Sequence, residues 1–172
     1  MGCQMLAVID SDDTEASEAL TRVPVWFEEW EAALSRFRDD SELSALNRAE
    51  GKPMRVSETL VQVIEEALRG AHASDGLVTP TILDVLTAVG YDRSFELLPA
   101  SAMSSTTPKP IGDWRALELD ANTRTVRLPR GIHLDFGGVA KGGLPIKPRG
   151  DCRLLHPHSW MLAATSGSVT RG

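Results

Sequence analysis

The sequence has few of the residue types that build disulfide frameworks, zinc sites and nucleic-acid-binding surfaces. Its 172 residues include two cysteines, Cys3 and Cys152, and neither has a second cysteine or a histidine at the spacing of a zinc site. The formal net charge is −6, and no run of lysine or arginine carries interleaved aromatic side chains. These absences argue against a disulfide framework, a zinc site and a nucleic-acid partner.

Long apolar runs are absent as well. No stretch reaches the roughly 18 apolar residues that a membrane span needs, and the first residues lack the basic and apolar regions of an export signal. We therefore expect no transmembrane segment and, for the chain as written, a cytoplasmic location. With 42% hydrophobic residues, the chain is long enough for one domain with a core or for part of a larger domain.

Residues 133–142 form the most informative stretch, which we call the glycine segment. An apolar run ends in the paired glycines Gly137 and Gly138, and Lys141 follows them. Glycine allows backbone amides and carbonyls to approach a ligand that a Cβ atom would keep away. The spacing matches neither a dinucleotide-binding loop nor a P-loop, so the segment alone is equally consistent with a phosphate-bearing cofactor and with a simple tight turn.

The hydrophobic pattern predicts a strand and three helices in the first part of the chain. The strand spans residues 4–10, and an apolar stripe predicts a helix that extends to about residue 37, although Pro24 should start or kink that helix. Ser41 and Ser57 are placed to cap the two helices that follow. The stripe of the first helix consists of Leu20, Val23, Phe27, Trp30, Leu34 and Phe37.

Loops and a hairpin are predicted beyond the third helix. Residues 75–81 read as a loop in which Gly76 is free to take a positive φ. Residues 99–113 are rich in proline, serine and threonine and predict an irregular excursion. Residues 116–120 and 125–128 predict the two strands of a hairpin.

Four motifs in register resemble the ApbE-type FAD:protein FMN transferases, over residues 1–142. Met1-Gly2-Cys3 stands where that family has Met-Gly-Thr, and residues 35–47 contain Ser-Arg-Phe, Asp-Ser-Glu-Leu and Leu-Asn in the family's order. Residues 75–81 match its Asp-Gly-x-Phe-Asp-Pro-Thr loop, and residues 134–142 match its Asp-Leu-Gly-Gly-Ile-Ala-Lys-Gly signature. The resemblance implies an α+β fold, related to the T-fold, in which helices pack beside a mostly antiparallel sheet.

The resemblance also implies a flavin site and a magnesium ligand. The flavin-contacting residues carried over are Met1, Phe37, Leu77, Val78, Thr79 and Gly137, and the carbonyl oxygen of Ala140 would bind Mg²⁺. Met1 and the ring of Phe37 would flank the isoalloxazine, although Phe37 could instead be the last core residue of its helix. Cys3 replaces the family's threonine, and Thr79 replaces a carboxylate, which removes one side-chain contact.

The family's reaction is a phosphoryl transfer. A threonine or serine hydroxyl of an acceptor flavoprotein attacks the phosphorus on the flavin side of FAD, and AMP leaves while Mg²⁺ neutralises charge. Some relatives hydrolyse FAD with water instead, and the sequence does not separate these outcomes. A non-catalytic flavin-binding remnant and a plain α+β interaction domain are the alternatives. Full-length relatives are often periplasmic and lipid-anchored.

Residues 143–172 do not continue the family pattern. If one T was lost before the codon of Gly143 and the gene favours G or C at third codon positions, the bases TGG-GCT-GCC-GAT encode Trp-Ala-Ala-Asp, which the family has at this point. The same shifted frame recovers Asp-Ala-Gly-Gly-Asp-Ile from residues 160–166, which is the family's next motif. The sequence therefore predicts a non-homologous, frame-shifted tail, marginal stability and little or no transferase activity.

Overall fold

The computed structural model describes residues 4–9, 14–93, 110–139 and 160–165. The chain divides into two compact units, one formed by Met1–Glu29 with Pro145–Gly172 and the other by Trp30–Leu144. The fold is α+β, with helices and small antiparallel sheets, as the resemblance implies. Among the described residues, none of the helices combines the length and apolar character that crossing a bilayer requires.

The first unit contains a pair of antiparallel strands. Strand β1 (Gln4–Ile9) pairs with strand β5 (Trp160–Thr165), and the register places Gln4 opposite Thr165 and Ile9 opposite Trp160. The predicted strand at the start of the chain is therefore confirmed. Strand β5 was not predicted, although its six residues are mostly apolar, a composition typical of strands. That residues 143–172 are unrelated to the family stays a prediction.

Helix α1 (Thr14–Leu34) runs through Pro24. The prediction that Pro24 starts this helix is wrong, because the helix begins at Thr14. A proline inside a helix costs about 3 kcal/mol through its lost N–H bond and its ring clash. Burial of apolar side chains on both sides of the proline, including Ala19, Val23 and Leu34, offsets that cost.

The end of α1 falls before Phe37. Helix α1 ends at Leu34, and the next carbonyl oxygen, that of Ser35, accepts a hydrogen bond of 2.5 Å from the Ser41 hydroxyl. The Ser35 carbonyl oxygen is therefore satisfied by a side chain beyond the end of the helix. Phe37 is 40% exposed and lies beyond the helix, so the interpretation of Phe37 as a core residue of that helix is wrong.

Two capped helices follow as predicted. Helix α2 (Glu42–Asn47) begins after Ser41, whose hydroxyl oxygen accepts from the Ser44 amide at 3.0 Å. Helix α3 (Glu58–Ala73) begins after Ser57, whose hydroxyl oxygen accepts from the Leu60 amide at 3.2 Å. The apolar face of α3 is buried, and it includes Leu60, Val63, Ile64, Ala67 and Ala71.

The second unit contains a three-stranded antiparallel sheet. Strands β2 (Met54–Arg55), β3 (Glu118–Asp120) and β4 (Thr125–Arg127) lie in the order β2-β4-β3. Strands β3 and β4 form the predicted hairpin, with Leu119 opposite Val126. Its turn is held by the Asp120 carboxylate, which accepts from the amides of Asn122 and Thr123.

The core of the second unit joins the helices, the sheet and the glycine segment. Its fully buried large side chains are Leu43 and Leu46 of α2, Leu60, Val63 and Ile64 of α3, Val126 of β4, and Leu134 and Phe136 of the glycine segment. A short helix α4 (Leu83–Ala88) and a 3₁₀ turn (Trp114–Ala116) complete this unit. The burial of Leu134 and Phe136 anchors one end of the glycine segment in the core.

Candidate functional site

A buried ion pair lies where the predicted flavin-contacting segments meet. The Nε atom of Arg36 is 2.8 Å from the Oδ2 atom of Asp135, and the two side chains are 7% and 13% exposed. Arg36 follows α1, and Asp135 lies in the glycine segment. Burial of both charges makes each dependent on the other, since an unpaired charge in this environment is costly.

The guanidinium of Arg36 also holds two aromatic rings. Its central carbon lies 4.2 Å from the ring centroid of Phe37 and 4.4 Å from that of Tyr91. The two rings are 6.1 Å apart and inclined by 64°, which is a favourable edge-to-face arrangement. An Nη1 hydrogen bond of 2.9 Å to the Tyr91 carbonyl oxygen fixes the cation further. Phe37 is thereby oriented while much of its surface stays exposed.

The loop at residues 77–79 is tied to the same ion pair through Pro80. The Asp135 amide donates to the Pro80 carbonyl oxygen at 2.9 Å. Leu77 is 91% exposed and Val78 is 53% exposed, and the Val78 amide donates to the Ser74 hydroxyl. The loop that carries these exposed apolar side chains is therefore joined to the glycine segment at Pro80.

The hydroxyl groups of this loop point inward to one another. Thr81 is 1% exposed, and its hydroxyl donates to the Gly112 carbonyl oxygen at 2.6 Å. Thr81 has one hydroxyl hydrogen, so the 2.8 Å bond between the two threonine hydroxyls is donated by Thr79. Thr79 therefore uses its hydroxyl hydrogen inside the protein, where the family pattern has a carboxylate.

The glycine segment is fixed at its start and open at its paired glycines. The Asn47 amide group makes two hydrogen bonds to the backbone of Leu134, of 3.0 and 2.8 Å. The Gly137 amide donates to the Asp135 carboxylate at 2.9 Å. Gly137 and Gly138 are both exposed. A ligand can approach the backbone at these two glycines.

Charge beside the aromatic rings comes from a second arginine–aspartate pair. Asp92 follows Tyr91, and a side-chain hydrogen bond from Arg93 holds the pKa of Asp92 below its usual value, with a smaller contribution from Arg36. Asp92 therefore carries a negative charge at neutral pH. This exposed charge lies next to the ring that contacts Phe37.

Of the residues implied by the resemblance, the structure brings together those within its described ranges. Gly137 bonds to Asp135 directly, Phe37 contacts its partner Arg36, and the loop residues Leu77, Val78 and Thr79 precede Pro80, whose carbonyl oxygen accepts from the Asp135 amide. Met1 and Ala140 lie outside the described residues. Within those residues, no group of three or more histidine, cysteine, aspartate or glutamate side chains could hold a metal ion.

Four residues that build this site have no role predicted from the sequence: Arg36, Asp135, Asn47 and Tyr91. Arg36, Asn47 and Asp135 lie inside the recognised motifs, so the motifs were the available indication. Their partners are far away in the sequence, and no local pattern shows that Arg36 and Asp135 meet. Tyr91 lies outside every motif, although it is the one tyrosine of the chain.

A separate groove lies along α3. It has a volume of about 790 Å³ and is lined by Glu65, Leu68, Arg69, His72, Ala73, Trp114, Arg115 and Leu117. None of the predicted flavin-contacting residues lines it. It borders the other side of the loop, because Arg115 pairs with Asp75 at 2.9 Å and Trp114 lies against Gly76. We therefore distinguish this groove, the α3 groove, from the flavin-contacting face.

Position 76 needs glycine because its φ is positive and because Trp114 lies close to it. Its φ is +84°, and a Cβ atom placed on it would lie 3.1 Å from the indole nitrogen of Trp114. We predict that Gly76→Ala lowers the free energy of unfolding by about 2–3 kcal/mol, as measured by urea denaturation. Gly131→Ala is the control, because its φ is +77° but nothing lies within 4 Å. It should cost about 1–2 kcal/mol, and equal losses would show that the Trp114 contact contributes nothing.

Comparison with known proteins identifies one family. The ApbE family model matches residues 1–144. The FAD:protein FMN transferase of Treponema pallidum (strain Nichols) is 32% identical over 154 residues, which cover 84% of this chain and 42% of that protein. This chain therefore spans less than half the length of the curated relative that it matches.

Solved structures agree with the fold. The flavin transferase ApbE from Vibrio cholerae matches with a TM-score of 0.64 and 22% identity, over 83% of this chain and 47% of that one. The ApbE protein from Thermotoga maritima matches with a TM-score of 0.67 and 20% identity, over 82% of this chain and 46% of that one. At this level of identity, the two structures establish the fold alone.

Proposed function

Because the chain belongs to the ApbE family, we propose that it binds FAD and serves transfer of the FMN moiety of FAD to a protein acceptor. The acceptor group is a threonine or serine hydroxyl of a flavoprotein. Its oxygen forms a bond to the phosphorus on the flavin side, the pyrophosphate bond breaks, and AMP leaves with its phosphate. The hydroxyl proton is released to solvent or to a base. Support comes from the name of the curated relative, FAD:protein FMN transferase.

One observation carries the flavin part of this proposal. Phe37, the 77–79 loop and the paired glycines come from distant parts of the sequence, yet all connect to the Arg36–Asp135 pair. Together they offer an exposed aromatic ring, two exposed aliphatic side chains and open glycine backbone. A flat, largely apolar ring system that carries a phosphate needs these three kinds of contact. A simple tight turn would need none of them.

The described residues act in binding and orientation. The exposed part of the Phe37 ring would stack on the isoalloxazine, and the Leu77 and Val78 side chains would exclude water from its edge. The glycine backbone would let the FAD approach closely at Gly137. Since the orientation of a bound substrate can supply much of the rate of a transfer reaction, these contacts would position the phosphorus for attack.

We include Mg²⁺ dependence in the proposal, although the ligand assigned to the ion lies outside the described residues. The resemblance assigns the Ala140 carbonyl oxygen to Mg²⁺, a hard cation that prefers oxygen ligands. The part of the chain that the structure describes offers no cluster of metal-binding side chains. The binding role of Phe37 and the glycines is derived without the metal.

The test is titration of the chain with FAD, with Mg²⁺ and with EDTA, followed by flavin fluorescence and by release of AMP. We expect saturable FAD binding at one site. Covalent flavin on an added acceptor domain, with one AMP per flavin, would establish transfer. AMP without covalent flavin would establish FAD hydrolysis. Binding without AMP would establish a flavin-binding protein without transferase activity, and no binding would contradict the proposal.

The paired glycines supply a matched test of the same face. A Cβ atom on Gly137 would lie 3.0 Å from the Asp135 carboxylate, whereas a Cβ atom on Gly138 would meet nothing within 4 Å. We predict that Gly137→Ala weakens FAD binding roughly fivefold or more, because crowding of this kind costs about 1–3 kcal/mol. Gly138→Ala should weaken FAD binding less, because its methyl group would meet no protein atom within 4 Å. Unchanged binding by Gly137→Ala would show that FAD does not lie against this glycine.

The tail is a separate proposal. We propose that residues 143–172 arise from a shifted reading frame, which the recovery of two family motifs in one alternative frame supports. The match of the family model to residues 1–144 supports the position of this boundary. Sequencing the encoding DNA around codon 143 tests it, because codons that cannot yield Trp-Ala-Ala-Asp after insertion of one T would refute it. On this view the chain has low transferase activity even where it binds FAD.

A further inference from the structure

We propose that Arg36 is a positioning residue, whose guanidinium fixes the ring of Phe37 for flavin and couples that ring to the glycine segment. The inference rests on the proposed function and names the group that organises its site. The Arg36 side chain is 7% exposed, so a ligand on the flavin-contacting surface would not contact it directly. Its effect on a ligand must therefore pass through the groups that it holds.

The hydrogen bonds of the guanidinium use only part of its capacity. Nε bonds to Asp135 and Nη1 bonds to the Tyr91 carbonyl oxygen. Nη2 is buried and has no hydrogen-bond partner among the residues that the structure describes. A buried N–H group without an acceptor is costly. The rings of Phe37 and Tyr91 compensate this cost. Their centroids lie 4.2 and 4.4 Å from the central carbon of the guanidinium, and a cation is attracted to the face of an aromatic ring.

This arrangement needs arginine and not simply a positive charge. The planar guanidinium can contact ring faces while its edge donates to a carboxylate and a carbonyl oxygen. Lysine would keep the charge for Asp135 but offers a compact ammonium without a flat surface. Arg36→Lys should therefore leave the ion pair in place and release the rings of Phe37 and Tyr91.

The same cation links the ring to the glycines. One carboxylate oxygen of Asp135 pairs with Arg36, and the other accepts a hydrogen bond from the Gly137 amide. The backbone amide of Asp135 donates to the carbonyl oxygen of Pro80, which follows the 77–79 loop. A change at Arg36 therefore reaches all three groups of contacts through one residue. Arg38 is a nearby arginine whose pair with Asp40 is exposed.

A double-mutant cycle in FAD binding tests the proposal. Four chains are compared well below their melting temperatures: the parent, Arg36→Lys, Phe37→Ala and the double variant. We expect Arg36→Lys to weaken FAD binding about tenfold, within the range of coupling between residues in contact. We expect the double variant to bind FAD no more weakly than Phe37→Ala alone. Arg38→Lys is the control and should bind FAD as the parent does.

A readout without ligand checks the local effect. Tyr91 is the one tyrosine of the chain, so labelling with 3-fluorotyrosine gives one ¹⁹F resonance beside the guanidinium. Arg36→Lys should move this resonance, and Arg38→Lys should leave it in place. An unmoved resonance in Arg36→Lys would overturn the claim that the guanidinium holds this ring pair.

The outcomes separate this proposal from the proposed function. If the parent chain binds no FAD, the proposed function fails, and the flavin role of Arg36 fails with it. If the parent binds FAD and Arg36→Lys binds it equally well, only the role of Arg36 is overturned. A lower melting temperature with unchanged FAD affinity, or losses that add in the double variant, would show that Arg36 serves stability alone.

Discussion

Removing the Asp135 carboxylate with Asp135→Ala is expected to lower the free energy of unfolding by about 3–5 kcal/mol. Folded domains are stable by only about 5–15 kcal/mol in total, so this change would consume a large share of the stability. The physical reason is the guanidinium that remains. Arg36 would be left buried with the Tyr91 carbonyl oxygen as its one hydrogen-bond partner among the described residues. Denaturation with urea at neutral pH measures the loss.

Three further variants separate the buried charge from other effects. Asp135→Asn keeps the size of the side chain and an acceptor oxygen, so its loss should be smaller than that of Asp135→Ala. Adding Arg36→Met to Asp135→Ala should recover stability, because no buried cation then stays unpaired. Asp40→Ala breaks an exposed pair with Arg38 and should cause no measurable change. Equal effects of Asp135→Ala and Asp40→Ala would contradict the assigned importance of the buried pair.

Replacing Phe37 with alanine is expected to weaken FAD binding roughly 5- to 150-fold. The estimate follows from stacking of a flat heterocycle on an aromatic side chain, which contributes about 1–3 kcal/mol. The loss of stability should be modest, about 1–2 kcal/mol, because the ring is 40% exposed and contributes one cation–π and one edge-to-face contact. Titration monitored by flavin fluorescence gives the affinity, and urea denaturation gives the stability.

Ile111 supplies the control for Phe37. It is 54% exposed, so Ile111→Ala removes a comparable exposed apolar side chain that is not one of the predicted flavin-contacting residues. We expect its FAD affinity to equal that of the parent chain. If Phe37→Ala and Ile111→Ala bind FAD equally well, the ring of Phe37 does not contact the flavin.

Local chemistry made part of this fold predictable. The serines before α2 and α3 accept amide hydrogen bonds, and this capping needs only a hydroxyl at the right position ahead of a helical pattern. The positive φ of Gly76 and the hairpin of β3 and β4 likewise follow from residues close in the sequence. Their energies are local, so their patterns are visible in the sequence.

The remainder depends on contacts between distant residues. Helix α1 ends at Leu34, where the Ser41 hydroxyl bonds to the next carbonyl oxygen, and no apolar periodicity records that contact. The Arg36–Asp135 pair, the Asn47 bonds to Leu134 and the bond from Asp135 to Pro80 all join separate segments. The motifs identified most of these residues as a group, whereas their pairing came only from the structure.

The proposal that Phe37, the loop and the glycines form one flavin-contacting face is tested most directly by NMR. The measurement is the change in each amide chemical shift as FAD is added. We predict that added FAD shifts the amide resonances of Phe37, Leu77, Val78, Thr79 and Gly137 together, with one affinity. Shifts confined to His72, Trp114 and Arg115 would place the ligand in the α3 groove. That result, or the absence of any saturable shift, would contradict the account.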